Sequence, residues 1–195
     1  DVNNSIMVRV IESADTTAGN DLITDQSGDN IIIGGAGQDK ITTSEGDDVI
    51  LGDNGKIVIA ANGVIESVSV SDLINGTDDI INAGNGNNII AGAVGDDEIE
   101  AGINDDIILG DGGSLTFTAG VLTKAESTGS EAGNDTITAL DGHNVILGGA
   151  GSDTITTTTG NDFILGDNGN IVIAADGIIE SVSVSDLING TDDII

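Results

Sequence analysis

Every nine residues the chain places an aspartate or asparagine two positions ahead of an aliphatic or aromatic side chain. The series reads Asp21, Asn30, Asp39 and Asp48, then Asp79, Asn88, Asp97 and Asp106, then Asp135, Asn144, Asp153 and Asp162. A glycine usually stands two residues earlier again, as at Gly19, Gly28, Gly37 and Gly46, with Thr77 and Asn104 as departures. These acids have no catalytic company. The chain has no cysteine, its one histidine (His143, in DGHNV) has no partner residues around it, and no Ser/His/Asp set, phosphate loop or zinc spacing occurs. A regular row of carboxylates gathers positive charge and does little else, so a binding or structural role is expected and catalysis is not.

Composition says the same. The 195 residues carry 34 acids against four bases, a formal charge of −30. Such a chain repels nucleic acid and anionic membrane surfaces, and it repels itself when compact. Either it stays disordered or something positive neutralises it on folding. The 38% of apolar residues, mostly Ile, Val and Leu in regular positions, argue for folding. Phe117 and Phe163 are the only aromatics, so the core is expected to be thin and aliphatic. Thirty glycines without a proline do not describe a linker. No 18-residue apolar run and no basic leader after Asp1 are visible, so neither a membrane span nor a signal peptide is expected. The chain opens and closes in mid-pattern, which reads as a segment of something longer.

The elements that must position the acids follow from the same period. Ile23, Ile32, Ile41, Ile50 and Ile59 are nine apart, as are Ile81, Ile90, Ile99, Ile108 and Phe117, and Ile137, Ile146, Ile155, Ile164 and Ile173. Nine is not a helical spacing. It suits a strand of about three residues, a tight glycine turn and another strand, the rhythm of a coiled parallel sheet. A longer period of 114 lies above it: residues 51–81 match 165–195 at 28 of 31 positions, differing only at Lys56/Asn170, Asn62/Asp176 and Val64/Ile178. Near-identity over that length indicates an array.

Two stretches carry a resemblance. GGAGQDKIT at 34–42 and GGAGSDTIT at 148–156 match G-G-x-G-x-D-x-U-x at every fixed position, and the chain resembles the RTX family of calcium-binding nonapeptide repeats. The resemblance implies an all-β fold, a parallel β-roll or β-solenoid of nonapeptide turns, with calcium ions between stacked turns held by Asp carboxylates and turn carbonyls. The implied ligands are Asp21, Asn30, Gly34, Gly37, Asp39 and Asp48, then Asp79, Asn88, Asp97 and Asp106, then Asp135, Asn144, Gly148, Gly151, Asp153 and Asp162. Calcium takes six to eight oxygens, and a glycine turn can aim its carbonyls inward. With two half-turns per coil, Asp21 faces Asp39 on one edge and Asn30 faces Asp48 on the other. The all-Asp edge is therefore expected to bind calcium more tightly than the edge containing Asn. The alternative is a polar solenoid that needs no metal, but carboxylates stacked at a strand spacing of about 4.8 Å repel strongly.

After four turns each block reads GDNG or GDGG, and the motif Asp is replaced by Ile57, Leu115 or Ile171. Asp53, Asp111 and Asp167 in these turns either supply a carboxylate to the last site of the block or simply form the turn. An insert follows. IVIAANGVIESVSV and IVIAADGIIESVSV read as β-hairpins, with Asn62-Gly63 or Asp176-Gly177 at a primed turn. If each insert replaces one half-coil, a block holds six half-coils. The hairpins either make a repeating lateral surface or cover the side of their own roll. The resulting division is 1–17 as the end of a preceding insert, 18–60, 76–118 and 132–174 as repeat blocks, 61–75, 119–131 and 175–189 as hairpin inserts, and 190–195 as the start of another block.

The expected function is that of a calcium-stabilised, stiff structural segment of a large secreted or cell-surface protein, such as a filament, sheath or adhesin stalk. The competing reading is the calcium-dependent folding module of a type I-secreted toxin or hydrolase whose effector lies elsewhere. The resemblance implies export to the extracellular space or cell surface. Expected partners are calcium ions and further copies of the same repeat, without nucleic acid and without membrane insertion.

Overall fold

Short Ile/Val/Leu triads bounded by glycine fold as strands, because β-branched side chains suit a pleated surface and glycine admits the sharp reversals between them. The computed structural model describes residues 9–14, 16–70, 76–129, 133–184 and 194–195, and every regular element among them is a strand. None is a helix long and apolar enough to cross a membrane.

Two six-stranded parallel sheets form the roll. The lower sheet contains β2 (Leu22–Thr24), β4 (Lys40–Thr42), β8 (Ile80–Gly84), β10 (Glu98–Ala101), β14 (Thr136–Ala139) and β16 (Thr154–Thr157), in that spatial order. The middle sheet contains β3 (Ile31–Ile33), β5 (Val49–Leu51), β9 (Ile89–Ala93), β11 (Ile107–Asp111), β15 (Val145–Gly149) and β17 (Phe163–Asp167), also in order. Register places Ile41 beside Ile81 in one sheet and Ile50 beside Ile90 in the other. The two isoleucine ladders meet between the sheets, where Ile41, Ile50, Ile81, Ile90, Ile99, Ile108, Ile137 and Ile146 are fully buried with Ala83, Ala101 and Ala139. This is the thin aliphatic core.

A third sheet lies on the roll. Its strands are β1 (Arg9–Glu12), β6 (Gly55–Ile59), β7 (Ile65–Val70), β12 (Gly113–Thr118), β13 (Val121–Ser127), β18 (Gly169–Ile173) and β19 (Ile179–Val184), antiparallel throughout. Ile57, Val68, Leu115, Ala125 and Ile171 form one cross-strand row that is fully buried. They pack on Val49, Leu51, Ile89, Leu109 and Leu147 of the middle sheet, making a second core. The hairpins thus cover the side of their own roll. Ile59, Phe117 and Ile173 continue the nine-residue count in sequence but lie in this hairpin sheet, not in the isoleucine ladder of the roll.

Two expectations are corrected. The inserts replace no half-coil: β4 pairs directly with β8 and β5 with β9, so each block supplies two whole coils. The ends of an antiparallel hairpin are one strand spacing apart, so it leaves and re-enters a turn without disturbing the stack. Stacked positions are consequently 18 residues apart within a block but 40 or 38 apart across a hairpin. The Asn62-Gly63 and Asp176-Gly177 reversals are also not primed turns. Only the glycines have positive φ, +90° and +82°, and each donates its N–H back to Ala60 or Ala174, giving a type I turn closed by a glycine bulge. The primed geometry occurs in the other hairpin, at Ala119 (φ +53°) and Gly120 (φ +84°).

Candidate metal centre

Each chain reversal from the middle to the lower sheet ends in an aspartate, and these aspartates stack along one edge. Oδ1 of Asp39 accepts the backbone N–H of Asp21 at 2.7 Å, and Oδ1 of Asp79 accepts that of Asp39 at 2.7 Å. The pattern continues through Asp97 to Asp79 (2.7 Å), Asp135 to Asp97 (2.9 Å) and Asp153 to Asp135 (2.9 Å). The ladder runs unbroken past both hairpins that interrupt it in sequence. Its turns stack closely enough to need glycine. At Gly37 (φ +121°) an added Cβ would strike the carbonyl oxygen of Gly19 in the neighbouring coil.

The second carboxylate oxygen is the informative one. Oδ2 of Asp39, Asp79, Asp97 and Asp135 is buried and has no hydrogen-bond donor. Beside each runs a column of glycines that follow the middle-sheet strands. A Cβ on Gly34 would collide with Asp39 Oδ2 and the carbonyl of Gly52, and one on Gly52 with Asp79 Oδ2 and the carbonyl of Gly92. Gly92 stands in the same relation to Asp97 and Gly110, Gly110 to Asp135 and Gly148, and Gly148 to Asp153 and Gly166. In each of these gaps a carboxylate oxygen and a carbonyl oxygen thus lie close together against the bare face of a glycine.

Anions held this way are expensive. Burial raises the pKa of Asp39 above the ordinary value and pushes Asp79 up to about 8, partly offset by the Asp39 N–H. Asp97 is pushed up to about 10 by burial and by repulsion from Asp135, and Asp135 up to about 9, chiefly by burial. Among the described residues no basic side chain pairs with any of these four. Nor, among the described residues, do three carboxylate or imidazole groups converge on one point. The donors of a gap are instead one or two carboxylates and backbone carbonyls, an all-oxygen mixture that suits a hard cation of calcium's size and leaves zinc or copper poorly served.

The opposite edge alternates. Asn30 N–H donates to Asp48 Oδ1 (2.8 Å), Asp48 to Asn88 (3.1 Å), Asn88 to Asp106 (2.9 Å), Asp106 to Asn144 (3.0 Å) and Asn144 to Asp162 (3.0 Å). Asp48 Oδ2 and Asp106 Oδ2 are again buried without a donor, and burial pushes Asp106 up to about 7. The asparagines do more than lack a charge. Asn30 Nδ2 donates to the Gly28 carbonyl and Asn88 Nδ2 to the Gly86 carbonyl, occupying turn oxygens that a cation would otherwise share.

Asp53 and Asp111 stand where each hairpin leaves the roll, 1% and 2% exposed. Oδ2 of Asp53 accepts the Val94 N–H, and Oδ2 of Asp111 the Ala150 N–H, one turn further along the Asp-rich edge. Asp167 occupies the corresponding place at the end of β17, paired with Gly149. Gly151 repeats the packing of Gly37, its Cβ position falling on the Gly133 carbonyl. The perfect motifs point to Gly34 and Gly148, but Gly52, Gly92 and Gly110 stand equally close to the carboxylates. Their signal was present as the glycine that ends ILG and IAG.

A family model for the RTX calcium-binding nonapeptide repeat matches the chain at 12–41, 25–56, 82–114, 130–155 and 147–170, more than half of its length. The chain belongs to the RTX calcium-binding repeat family. No curated protein matches it. As an RTX repeat segment it is a calcium-binding module, and its donor-free aspartate oxygens and stacked glycine carbonyls fit that ion.

Proposed function

We propose that this RTX segment is a structural rod whose folding is completed by calcium taken into the gaps along its two turn edges. Asp21, Asp39, Asp79, Asp97, Asp135 and Asp153 hold it on the all-Asp edge, with the carbonyls of the Gly34 to Gly148 column. Asp48, Asp106 and Asp162, with Asn30, Asn88 and Asn144, hold it more weakly on the other. A bound calcium supplies the positive charge that the chain's own four bases do not. The observation that carries this reading is the repeated, buried, donor-free Oδ2 beside a glycine carbonyl.

The sites do not exist in the unfolded chain, so binding energy is folding energy. An acidic chain of this kind stays unfolded where calcium is scarce and folds where it is plentiful, which suits a protein at work outside the cell or on its surface. The unbroken sheets and the 114-residue repetition support a stiff element in a filament, sheath or stalk, where copies of the repeat are the natural partners. Withdrawal of calcium at neutral pH is the direct test. Far-ultraviolet circular dichroism is expected to change from β to disordered on adding EGTA and to recover with excess calcium. A β spectrum that persists in EGTA at pH 7.5 overturns the reading.

A further inference from the structure

Charge is spread unevenly over the three layers. The seven strands of the hairpin sheet contain no aspartate, and three of the chain's four bases lie in them, Arg9, Lys56 and Lys124. Against four glutamates this leaves the sheet at −1, so the remainder of the chain carries −29 of the total of −30. The buried row of Ile57, Val68, Leu115, Ala125 and Ile171 sets the inner face, and side chains alternate along a strand. Two rows on the outer face therefore run across all seven strands, one through Lys56 and Glu126 and the other through Val58 and Lys124. Their charged members are Glu12, Lys56, Lys124 and Glu126, and the rest are serine, threonine, valine and asparagine. Glu12 stands directly opposite Lys56, and Lys124 Nζ lies 2.6 Å from Glu126 Oε2. The outer face is neutral on a strongly anionic molecule.

We propose that this outer face joins rods in pairs, and that its occupant is the same face of a second copy of the chain. The inference rests on the reading of the segment as a rod and names the surface through which its copies meet. A large net charge of one sign keeps proteins apart. A copy that approaches either turn edge meets rows of carboxylates. One that approaches the lower sheet meets the exposed Glu98 and Glu100 of β10, which lie between Ile80 and Asn82 on one side and Thr136 and Thr138 on the other, with no base among them. The hairpin face offers lysines and glutamates in equal number, so a two-fold contact brings no excess of either charge together. Its small side chains suit sheet-on-sheet packing. Seven strands about 4.8 Å apart and about five residues long present roughly 500 Å² per copy, less than the roughly 800 Å² per partner of a standard stable interface. One segment therefore pairs weakly, and each further hairpin in an array adds to the contact.

The chain has no cysteine, so a single introduced thiol reports the contact. Thr116 lies in an outer row on β12, the central strand of the hairpin sheet, and Thr136 on the outer face of the lower sheet, and both are exposed. The test is sedimentation equilibrium of the calcium-saturated 195-residue chain, with disulfide formation by Thr116→Cys and Thr136→Cys under mild oxidation. The expected result is a dimer with a Kd of about 0.1–1 mM, crosslinked roughly tenfold faster through position 116 than through position 136. Lys124→Glu is expected to raise the Kd about tenfold with calcium stoichiometry unchanged, and adding Glu126→Lys to restore it, because the neutrality of the face returns. A folded chain that stays monomeric at about 1 mM overturns the proposal, as does a dimer that crosslinks equally fast or faster through position 136. A chain without a β spectrum in excess calcium fails the rod reading instead, and circular dichroism on the same samples tells the two failures apart.

Discussion

Acid should replace calcium in holding the roll together. Asp79, Asp97, Asp111 and Asp135 are pushed up by burial to about 8, 10, 8 and 9, against an unfolded value of 3.8. The folded, calcium-free chain therefore binds more protons than the unfolded chain at every pH between these limits. Its stability is greatest near or below pH 4 and falls as pH rises through the neutral range. One pH unit is worth about 1.4 kcal/mol per proton, so each carboxyl held neutral at pH 7 costs about 4 kcal/mol relative to pH 4. Two such groups already reach the lower end of the roughly 5–15 kcal/mol that stabilises a typical domain, and four exceed it. The assay is thermal melting by circular dichroism from pH 4 to 9 in calcium-free buffer, without a chelator whose own affinity changes with pH. Salt at about 0.5 M screens the exposed acids and leaves the buried ones as the dominant titrating groups. The expected outcome is a cooperative β-to-coil transition near pH 4.5, lost by pH 8 and restored there by millimolar calcium, with protons released on binding. Equal melting temperatures at pH 5 and pH 8 without calcium would refute the argument that buried carboxylates set the metal requirement.

Three substitutions probe single parts of the structure. Gly92→Ala puts a methyl group against Asp97 Oδ2 and the Gly110 carbonyl, so it should cost about 1–3 kcal/mol and lower calcium affinity at that gap, as read by calorimetry and melting. Asn88→Asp adds a carboxylate between Asp48 and Asp106 and removes the amide that occupies the Gly86 carbonyl; calcium titration should show the weaker class of sites tightening, while the calcium-free chain becomes less stable. Ala119→Gly relieves a left-handed alanine at the β12–β13 turn and should stabilise the chain by about 1 kcal/mol, with calcium binding unchanged.

The strands, their pairing and the two edges were legible because a nine-residue period leaves little freedom: a turn between every triad puts residues 18 apart side by side, as Asp21 and Asp39 are. Where the period breaks, local sequence stopped being enough. Ile59 keeps the count and still leaves the roll, because the residues around it alternate and can pair with β7 in a hairpin. The distance of 40 residues between Asp39 and Asp79 does not reveal that they are adjacent, since a hairpin can be any length without moving its ends. The turn types depended on which residues take positive φ, and AANG offers two candidates where the structure uses only Gly63. At the metal edge, the acids announced themselves by type. The glycine column did not, because its role is to be absent from a space that Asp Oδ2 and a neighbouring carbonyl need, and that space appears only when the coils are stacked.

The architecture separates two kinds of stabilisation. Apolar burial is confined to the layers: isoleucines between the lower and middle sheets, and Leu115, Val68, Ile57 and their neighbours between the middle and hairpin sheets. These contacts are indifferent to calcium. Ionic burial is confined to the turns, where Asp39, Asp79, Asp97 and Asp135 line up without counterions from the protein. Because each block adds two coils and one hairpin, each adds the same increment of both kinds, and the ratio between them stays constant however many blocks are stacked. If calcium completes the turn edges as proposed, an array built this way cannot outgrow its need for the ion by lengthening its core.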